Sequence, residues 1–186
     1  MLPRFVVVVV LALACSQGAR AQAGRWFTTA AVLKELFPTS ERVSFVTVDG
    51  AALAGQGIPG GAKQHHVYVA WTGAHLDGYA VVDDERGQHE PISFAVQIDA
   101  ALAVQRVEVM AYREAYGAEI RAARYRKQFV GKTQRDLEPA AVAVDAISGA
   151  TLSCQSTVIV VRRALALAAL AKTIATNLPP SVGAAP

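Results

Sequence analysis

Apolar and polar positions alternate along much of residues 41–112, as they do in strands that bury one face. We predict strands over residues 41–48, 65–71, 79–82, 92–98 and 104–112, with the GAHLDG segment at 73–78 as a turn. The gaps between the last four strands are short and hold Gly, Asp or Pro, which favours antiparallel neighbours. The pattern therefore predicts one antiparallel sheet of about five strands.

Three further segments are predicted as helices, at residues 26–37, 118–130 and 152–178. In the last of them, Val158, Val161, Leu165 and Ala168 recur at about the helical period and form an apolar face. An antiparallel sheet packed with helices is the α+β class, here as a single domain with a long C-terminal helix. We divide the chain into an N-terminal helix and strand at 24–60, the main domain at 61–178 and a flexible tail at 179–186.

The first 23 residues have the organisation of a secretory signal peptide. Arg4 precedes an apolar run at 5–15, which is too short to span a bilayer comfortably, and small residues suited to cleavage flank Arg20 and Gln22. Cys15 follows a loose version of the lipidation pattern, so a lipoprotein signal that tethers the protein to a membrane stays open as an alternative. Both interpretations predict a periplasmic or other extracytoplasmic location.

Charge and cysteine content exclude several classes of function. The formal net charge is +3, but cleavage after Ala21 removes Arg4 and Arg20 and no acid, leaving a nearly neutral domain that is poorly suited to nucleic acid. Cys154 is then the remaining cysteine, so no disulfide framework is predicted, and a small buried helix residue is the simplest role for it. We interpret all four histidines, His65, His66, His75 and His89, as solvent-facing or loop residues rather than metal ligands.

The segment DAISGATLSCQS at 145–156 joins a loop to the last helix. Ser148 or Thr151 can be explained simply as an N-cap, because Ser and Thr are common there. Alternatively, Gly149 and Ala150 leave the backbone uncrowded, so that another large molecule can reach the Thr151 hydroxyl. A phosphate attached there would meet free backbone N–H groups and the positive end of the helix dipole.

This segment resembles the flavinylation motif of the FMN-binding domain family, which includes FMN-carrying subunits of the sodium-pumping NADH:quinone reductase and of the Rnf complex. Stretches at 77–99, 112–120 and 124–132 are similar to other parts of that family, and the likeness covers about residues 60–175. The resemblance implies that Thr151 accepts FMN as a phosphoester from FAD through an ApbE-type, Mg²⁺-dependent flavin transferase. It also implies cofactor-binding roles for the residues Ser148, Gly149, Ala150, Leu152 and Asp145.

Two residues of the 112–120 stretch are further candidates by the same resemblance. Tyr116 would flank the isoalloxazine ring and Glu114 would contact its polar edge, although both can also be ordinary loop residues. The sequence around them departs from the corresponding loop of the respiratory subunits, and a signal segment stands where those subunits have a transmembrane helix. The resemblance therefore favours a stand-alone exported flavoprotein.

The expected function is that of an exported electron-transfer protein that carries FMN covalently on Thr151 and exchanges electrons with redox partner proteins, membrane-bound ones included. A periplasmic flavin-dependent reductase, or an accessory binding protein of the same fold without covalent flavin, are the alternatives, so the sequence leaves open whether the protein is an enzyme. The basic residues between 121 and 132 are either a solvated face or a surface that attracts an acidic partner.

Overall fold

The computed structural model of the chain describes residues 27–54, 56–58, 61–138 and 144–176. The predicted signal segment at 1–23, with Cys15, and the predicted tail at 179–186 lie outside these residues. The helices are α1 (Thr29–Leu36), α2 (Ala123–Arg126) and α3 (Thr151–Thr176), and the strands are β1 (Arg42–Asp49), β2 (Gln64–Thr72), β3 (His75–Arg86), β4 (Pro91–Ile98) and β5 (Val104–Ala111).

The five strands form one sheet in the order β1-β2-β3-β4-β5, and every neighbouring pair is antiparallel. Each strand is thus hydrogen-bonded to its neighbours in sequence, as short connections require. The predicted α+β domain, with its antiparallel sheet and long C-terminal helix, is confirmed.

The sheet buries both faces of its central strands. On one face, large residues such as Tyr79, Val81 and Phe94 pack in the same core as the apolar residues of α3. On the other face, Ala80 and Ala95 belong to a smaller cluster with residues of α1. Alternate residues point to opposite faces of a strand, so this arrangement explains why β3 and β4 are apolar at successive positions.

The predicted turn at 73–78 is wrong, because only Gly73 and Ala74 form the turn and β3 already begins at His75. Gly78 lies inside the strand with φ of 150°, and a Cβ at this position would collide with the carbonyl oxygen of Ile98 on β4. A glycine in a strand often marks such a close approach of two backbones rather than the end of the strand.

The predicted helix at 118–130 is interrupted. It consists of α2 with one short 3₁₀ turn before it and one after it, and the backbone at Ala122 is extended. Ile120, Tyr125 and Phe129 are buried, and Arg126 Nη1 donates a hydrogen bond of 2.7 Å to the carbonyl of Val107 on β5. These tertiary contacts hold the segment along the edge of β5, where a continuous helix could not bury all three side chains.

Helix α3 carries a fully buried arginine, Arg163. Its Nε lies 2.6 Å from Asp83 Oδ2, its Nη1 lies 2.9 Å from Glu85 Oε2, and its Nη2 donates to the carbonyl of Asp84 at 3.1 Å. Both carboxylates project from β3 toward α3, so the helix and the strand are joined by an ion cluster within an otherwise apolar interface. Among the described helices, α3 included, none is long and apolar enough to cross a membrane.

His65 belongs to the same buried cluster, so the expectation that it faces solvent is wrong; His66, His75 and His89 are exposed as expected. Its Nδ1 lies 3.7 Å from Asp83 Oδ2, and its Nε2 has no hydrogen-bond partner among the residues that the structure describes. Burial lowers the pKa of His65, and the attraction of Asp83 opposes that shift only in part. Strand alternation does place His65 on the same face as the buried Val67 and Val69. Its polarity favoured solvent because the sequence does not show the charged region of the core that it faces.

We expect Arg163→Met to lower the free energy of unfolding by about 3–5 kcal/mol, because Asp83 and Glu85 would be left without their buried cation. The matched control is Arg162→Met at the neighbouring, half-buried position, which should cost about 1 kcal/mol or less. Urea unfolding at neutral pH measures both values. Equal losses in the two variants would contradict the role given to the ion cluster.

We also expect the stability to decrease as the pH falls below about 6.5, the ordinary pKa of histidine. Below about pH 6.5 the unfolded chain binds a proton at His65, whereas folded His65 binds that proton only at a lower pH. The contribution of His65 to the change of unfolding free energy with pH is therefore at most about 1.4 kcal/mol per pH unit in this window, and it vanishes at higher pH. Unfolding free energies measured from neutral to mildly acidic pH should show a weaker slope in His65→Leu. The exposed control His66→Gln should keep the slope of the parent protein.

Candidate functional site

Thr151 is the first residue of α3, and its side chain is exposed. A tight turn precedes it, closed by a hydrogen bond of 2.9 Å from Ala150 N to Ile147 O. Gly149 has φ of 78°, in the left-handed region where glycine is favoured, and a Cβ there would meet nothing within 4 Å. The turn therefore presents the Thr151 hydroxyl to solvent without steric obstruction.

The start of α3 is an open helix end. The bond from Cys154 N to Ala150 O is the first of the helix, so the N–H groups of Thr151, Leu152 and Ser153 have no acceptor within the helix. Within the described part of the chain, neither the Ser148 nor the Thr151 hydroxyl bonds to a backbone N–H group, so neither acts as the side-chain N-cap considered above. Open N–H groups and the helix dipole together favour an anion at this position.

A second loop, at residues 112–117, lies against the first turn of α3. Tyr112 Oη donates to the carbonyl of Tyr116 and forms a hydrogen bond of 3.0 Å with Ser153 Oγ. Gly117, with φ of 91°, is so close to α3 that a Cβ would lie 2.8 Å from Ser153 Oγ and 3.3 Å from Ala150 Cβ. These contacts bring Tyr116, whose side chain is 83% exposed, to the same end of the helix as Thr151.

Glu114 faces the β3–β4 turn. Its Oε1 accepts hydrogen bonds from the N–H groups of His89, at 2.6 Å, and Glu90, at 3.0 Å. These backbone donors, His89 first, hold the pKa of Glu114 below its usual value. One carboxylate oxygen thus ties the loop to the turn, and the contact of Glu114 with the polar edge of a flavin stays a prediction.

Asp145 and Leu152 lie on either side of the motif and are both exposed. Gln128 holds the backbone of Asp145, accepting from its N–H at 2.7 Å and donating to its carbonyl at 3.4 Å. Leu152, 47% exposed, directly follows Thr151. In the described residues, no group of three or more His, Cys, Asp and Glu side chains could hold a metal ion.

A cavity of about 380 Å³ adjoins Thr151. Its lining is mainly apolar and consists of Tyr125, Val144, Ala146, Thr151, Cys154, Gln155, Val158 and Ile159. Cys154 is buried in the helix, as expected, and its carbonyl accepts a hydrogen bond of 3.4 Å from Tyr125 Oη.

The other lining residues were missed from the sequence, although those on α3 carry a recognisable signal. The lining residues of α3 are Cys154, Gln155, Val158 and Ile159. They follow Thr151 by three, four, seven and eight positions, a spacing that places all of them on one face of the helix. Tyr125, Val144 and Ala146 come from other segments, and no local pattern connects them with Thr151.

The part of the chain that contains the 112–117 loop and the Thr151 motif is similar to a known protein family. The model of the FMN-binding domain family matches residues 87–166, somewhat less than half of the chain and a narrower range than the resemblance had indicated. The matched range begins in the β3–β4 turn, ends within α3 and contains both the 112–117 loop and the Thr151 motif. No curated protein matches the chain.

We expect Gly117→Ala to destabilise the protein and to displace the 112–117 loop. A left-handed alanine costs about 1–2 kcal/mol, and the collision with Tyr112 and Ser153 should add about 1–3 kcal/mol. Gly131→Ala is the matched control, because Gly131 also has a positive φ but open space around it, so only the first cost applies. Denaturant unfolding of both variants tests this, and equal losses would show that the close contact with α3 has no energetic role.

Proposed function

We propose, from the premise that residues 87–166 are an FMN-binding domain, that this chain carries FMN covalently as a phosphoester of Thr151 and transfers electrons. The observation that carries the proposal is the exposed Thr151 hydroxyl, which lies at the open N-terminus of α3 and beside a mainly apolar cavity. The family match supports FMN as the cofactor, and the geometry around Thr151 supports its mode of attachment.

The residues around Thr151 fit both ends of FMN. The phosphate would lie at the N–H groups of the first turn of α3, where the helix dipole stabilises negative charge by about 0.3–1 kcal/mol at an exposed site. That energy positions a phosphate but does not retain a cofactor, which is a reason for a covalent bond. The cavity of about 380 Å³ lies within the range of small-molecule sites, and its apolar lining suits a flat aromatic ring.

Attachment requires an enzyme that supplies the flavin, and we propose an ApbE-type flavin transferase acting on FAD with Mg²⁺. Thr151 Oγ1 forms a new bond to the phosphorus of the FMN half, the pyrophosphate bond of FAD breaks, AMP leaves, and the hydroxyl proton passes to a base of the transferase. The chain itself contributes accessibility, because Ser148, Gly149 and Thr151 are all exposed. Asp145 would contribute a carboxylate for recognition on the rim.

Bound FMN would supply the redox chemistry, and the protein would control its position and access. Tyr112 and Gly117 hold the 112–117 loop against α3, so Tyr116 is available to flank the ring. The large exposed fractions of Tyr116 and Leu152 favour a site that redox partner proteins can approach. This openness supports an electron carrier more than a reductase, which needs a substrate pocket with convergent polar groups beside the ring.

Co-expression with a flavin transferase should yield a yellow protein whose Thr151 peptide carries an FMN-sized mass increment. Thr151→Val has nearly the same shape but no nucleophile, so it should lose the increment completely. Thr173→Val makes the same change at an exposed threonine near the other end of α3, outside the motif, and should keep the increment. A colourless wild type in the presence of transferase and FAD, or an increment that persists in Thr151→Val, would refute the proposal.

We further propose that the protein works outside the cytoplasm, on the basis of the signal-like segment at 1–23. N-terminal sequencing of protein recovered from cell fractions should find cleavage after Ala21 or Ala23. A lipidated Cys15, with processing that globomycin blocks, would instead establish the membrane-tethered form. An unprocessed N-terminus on cytoplasmic protein would contradict export.

A further inference from the structure

The two edges of the sheet differ in their hydrogen bonding. On β5, Val107 O accepts from Arg126 Nη1 at 2.7 Å, while Val104 accepts from Gly131 N at 2.7 Å and donates to Lys132 O at 2.9 Å. The segment 126–132 therefore covers this edge and satisfies part of its backbone. An edge strand that is covered in this way is protected from pairing with another chain.

On β1 the described part of the chain provides no such cover for the outward backbone groups. Gly50 N donates to Lys63 O at 2.8 Å, continuing the β1–β2 ladder, so the even-numbered residues of β1 bond to β2 and the odd-numbered ones point outward. Besides Asp49, which caps the turn that follows the strand, the outward residues are Val43, Phe45 and Thr47. Their N–H and C=O groups form no hydrogen bond with any part of the chain that the structure describes.

The side chains of β1 do not protect this edge either. Exposed edge strands are normally blocked by lysine, proline, a bulge or an inward-pointing charge. Between Arg42 and Asp49 the strand reads VSFVTV, which contains none of these residues, and its pairing with β2 is regular throughout. Phe45 is only half-buried. The strand is therefore open to an added strand of matching chemistry.

We infer that β1 pairs antiparallel with β1 of a second copy of this chain, so that the two sheets become continuous. A register centred on Val46 brings outward residues opposite outward residues, as a ladder requires. It also places Phe45 opposite Thr47 on both sides of the two-fold axis, and an aromatic residue paired with a β-branched one is favourable across strands. No like charges stand directly opposite, because Arg42 faces Gly50 and Asp49 faces Val43.

The pairing is compatible with the flavin site. A two-fold axis perpendicular to the sheet leaves both α3 helices on the same face and reverses the strand direction between the copies. Thr151 lies at the end of α3 that is near the β3–β4 turn, so the two Thr151 sites are at opposite ends of the joined sheet. Dimerisation should therefore proceed equally with and without flavin, and its test is independent of the proposed attachment.

Thr47→Pro provides a direct test, because proline removes an outward N–H and leaves the β1–β2 ladder bonds in place. Thr47→Val is the matched control, since both variants lose the 3.2 Å hydrogen bond between Thr47 Oγ1 and His66 Nδ1 but only proline loses the N–H. Sedimentation velocity is measured at increasing concentration on protein that the cell has processed. The wild type and Thr47→Val should dimerise, whereas Thr47→Pro should stay monomeric. A wild type that is monomeric throughout, or a dimer that Thr47→Pro leaves intact, would overturn the inference.

Hydrogen exchange of the wild type keeps the inference testable should Thr47→Pro fail to fold. The amides of Val43, Phe45 and Thr47 should become protected as the concentration rises. Those of Ser44 and Val46, which bond to β2, should be protected at every concentration. A dimer without this alternation in β1 would place the interface on another surface and overturn the inference.

Discussion

The buried guanidinium of Arg163 is the constraint on which the arrangement of this domain depends. Helix α3 is apolar around much of its circumference, so hydrophobic packing alone allows it to slide or rotate on the sheet. The bonds of Arg163 to Asp83 and Glu85 permit one position only. Breaking a buried ion pair leaves an uncompensated charge, and this penalty makes such a cluster selective for one packing even where it contributes little net stability.

The position of α3 in turn determines the geometry of the candidate site. Thr151 precedes Arg163 by about 18 Å along the helix axis, at 1.5 Å per residue. Near that end, Ser156 Oγ donates to the carbonyl of Arg86 at 2.7 Å, and Tyr112 and Gly117 contact Ser153. The site is therefore built on a rigid helix terminus, while the hydroxyl that it presents is exposed. The proposed attachment of FMN by a separate enzyme would need both properties, a fixed position and free access.

Several features of the site could be predicted from the sequence because they are local. The turn at Gly149, the small residue at Ala150 and the helix that begins at Thr151 are read from neighbouring residues. The same short motif lies within residues 87–166, which the model of the FMN-binding domain family matches. The contribution of Tyr125 and Val144 to the cavity could not be predicted, because distant segments meet there. Glu114 was singled out from the sequence, but its hydrogen bonds to the β3–β4 turn depend on tertiary contacts.

The sequence by itself determined the strands, their antiparallel order and the long terminal helix, since periodicity and short connections act over a few residues. Tertiary structure decided what depends on distant partners. Gly78 lies within a strand because the backbone of β4 approaches it, and the 118–130 segment is broken because Ile120, Tyr125 and Phe129 must all be buried. Strand alternation points His65 inward, but the polar region that accommodates it depends on Asp83 and Arg163. These two residues lie 80 positions apart, and no local pattern encodes such a charge cluster.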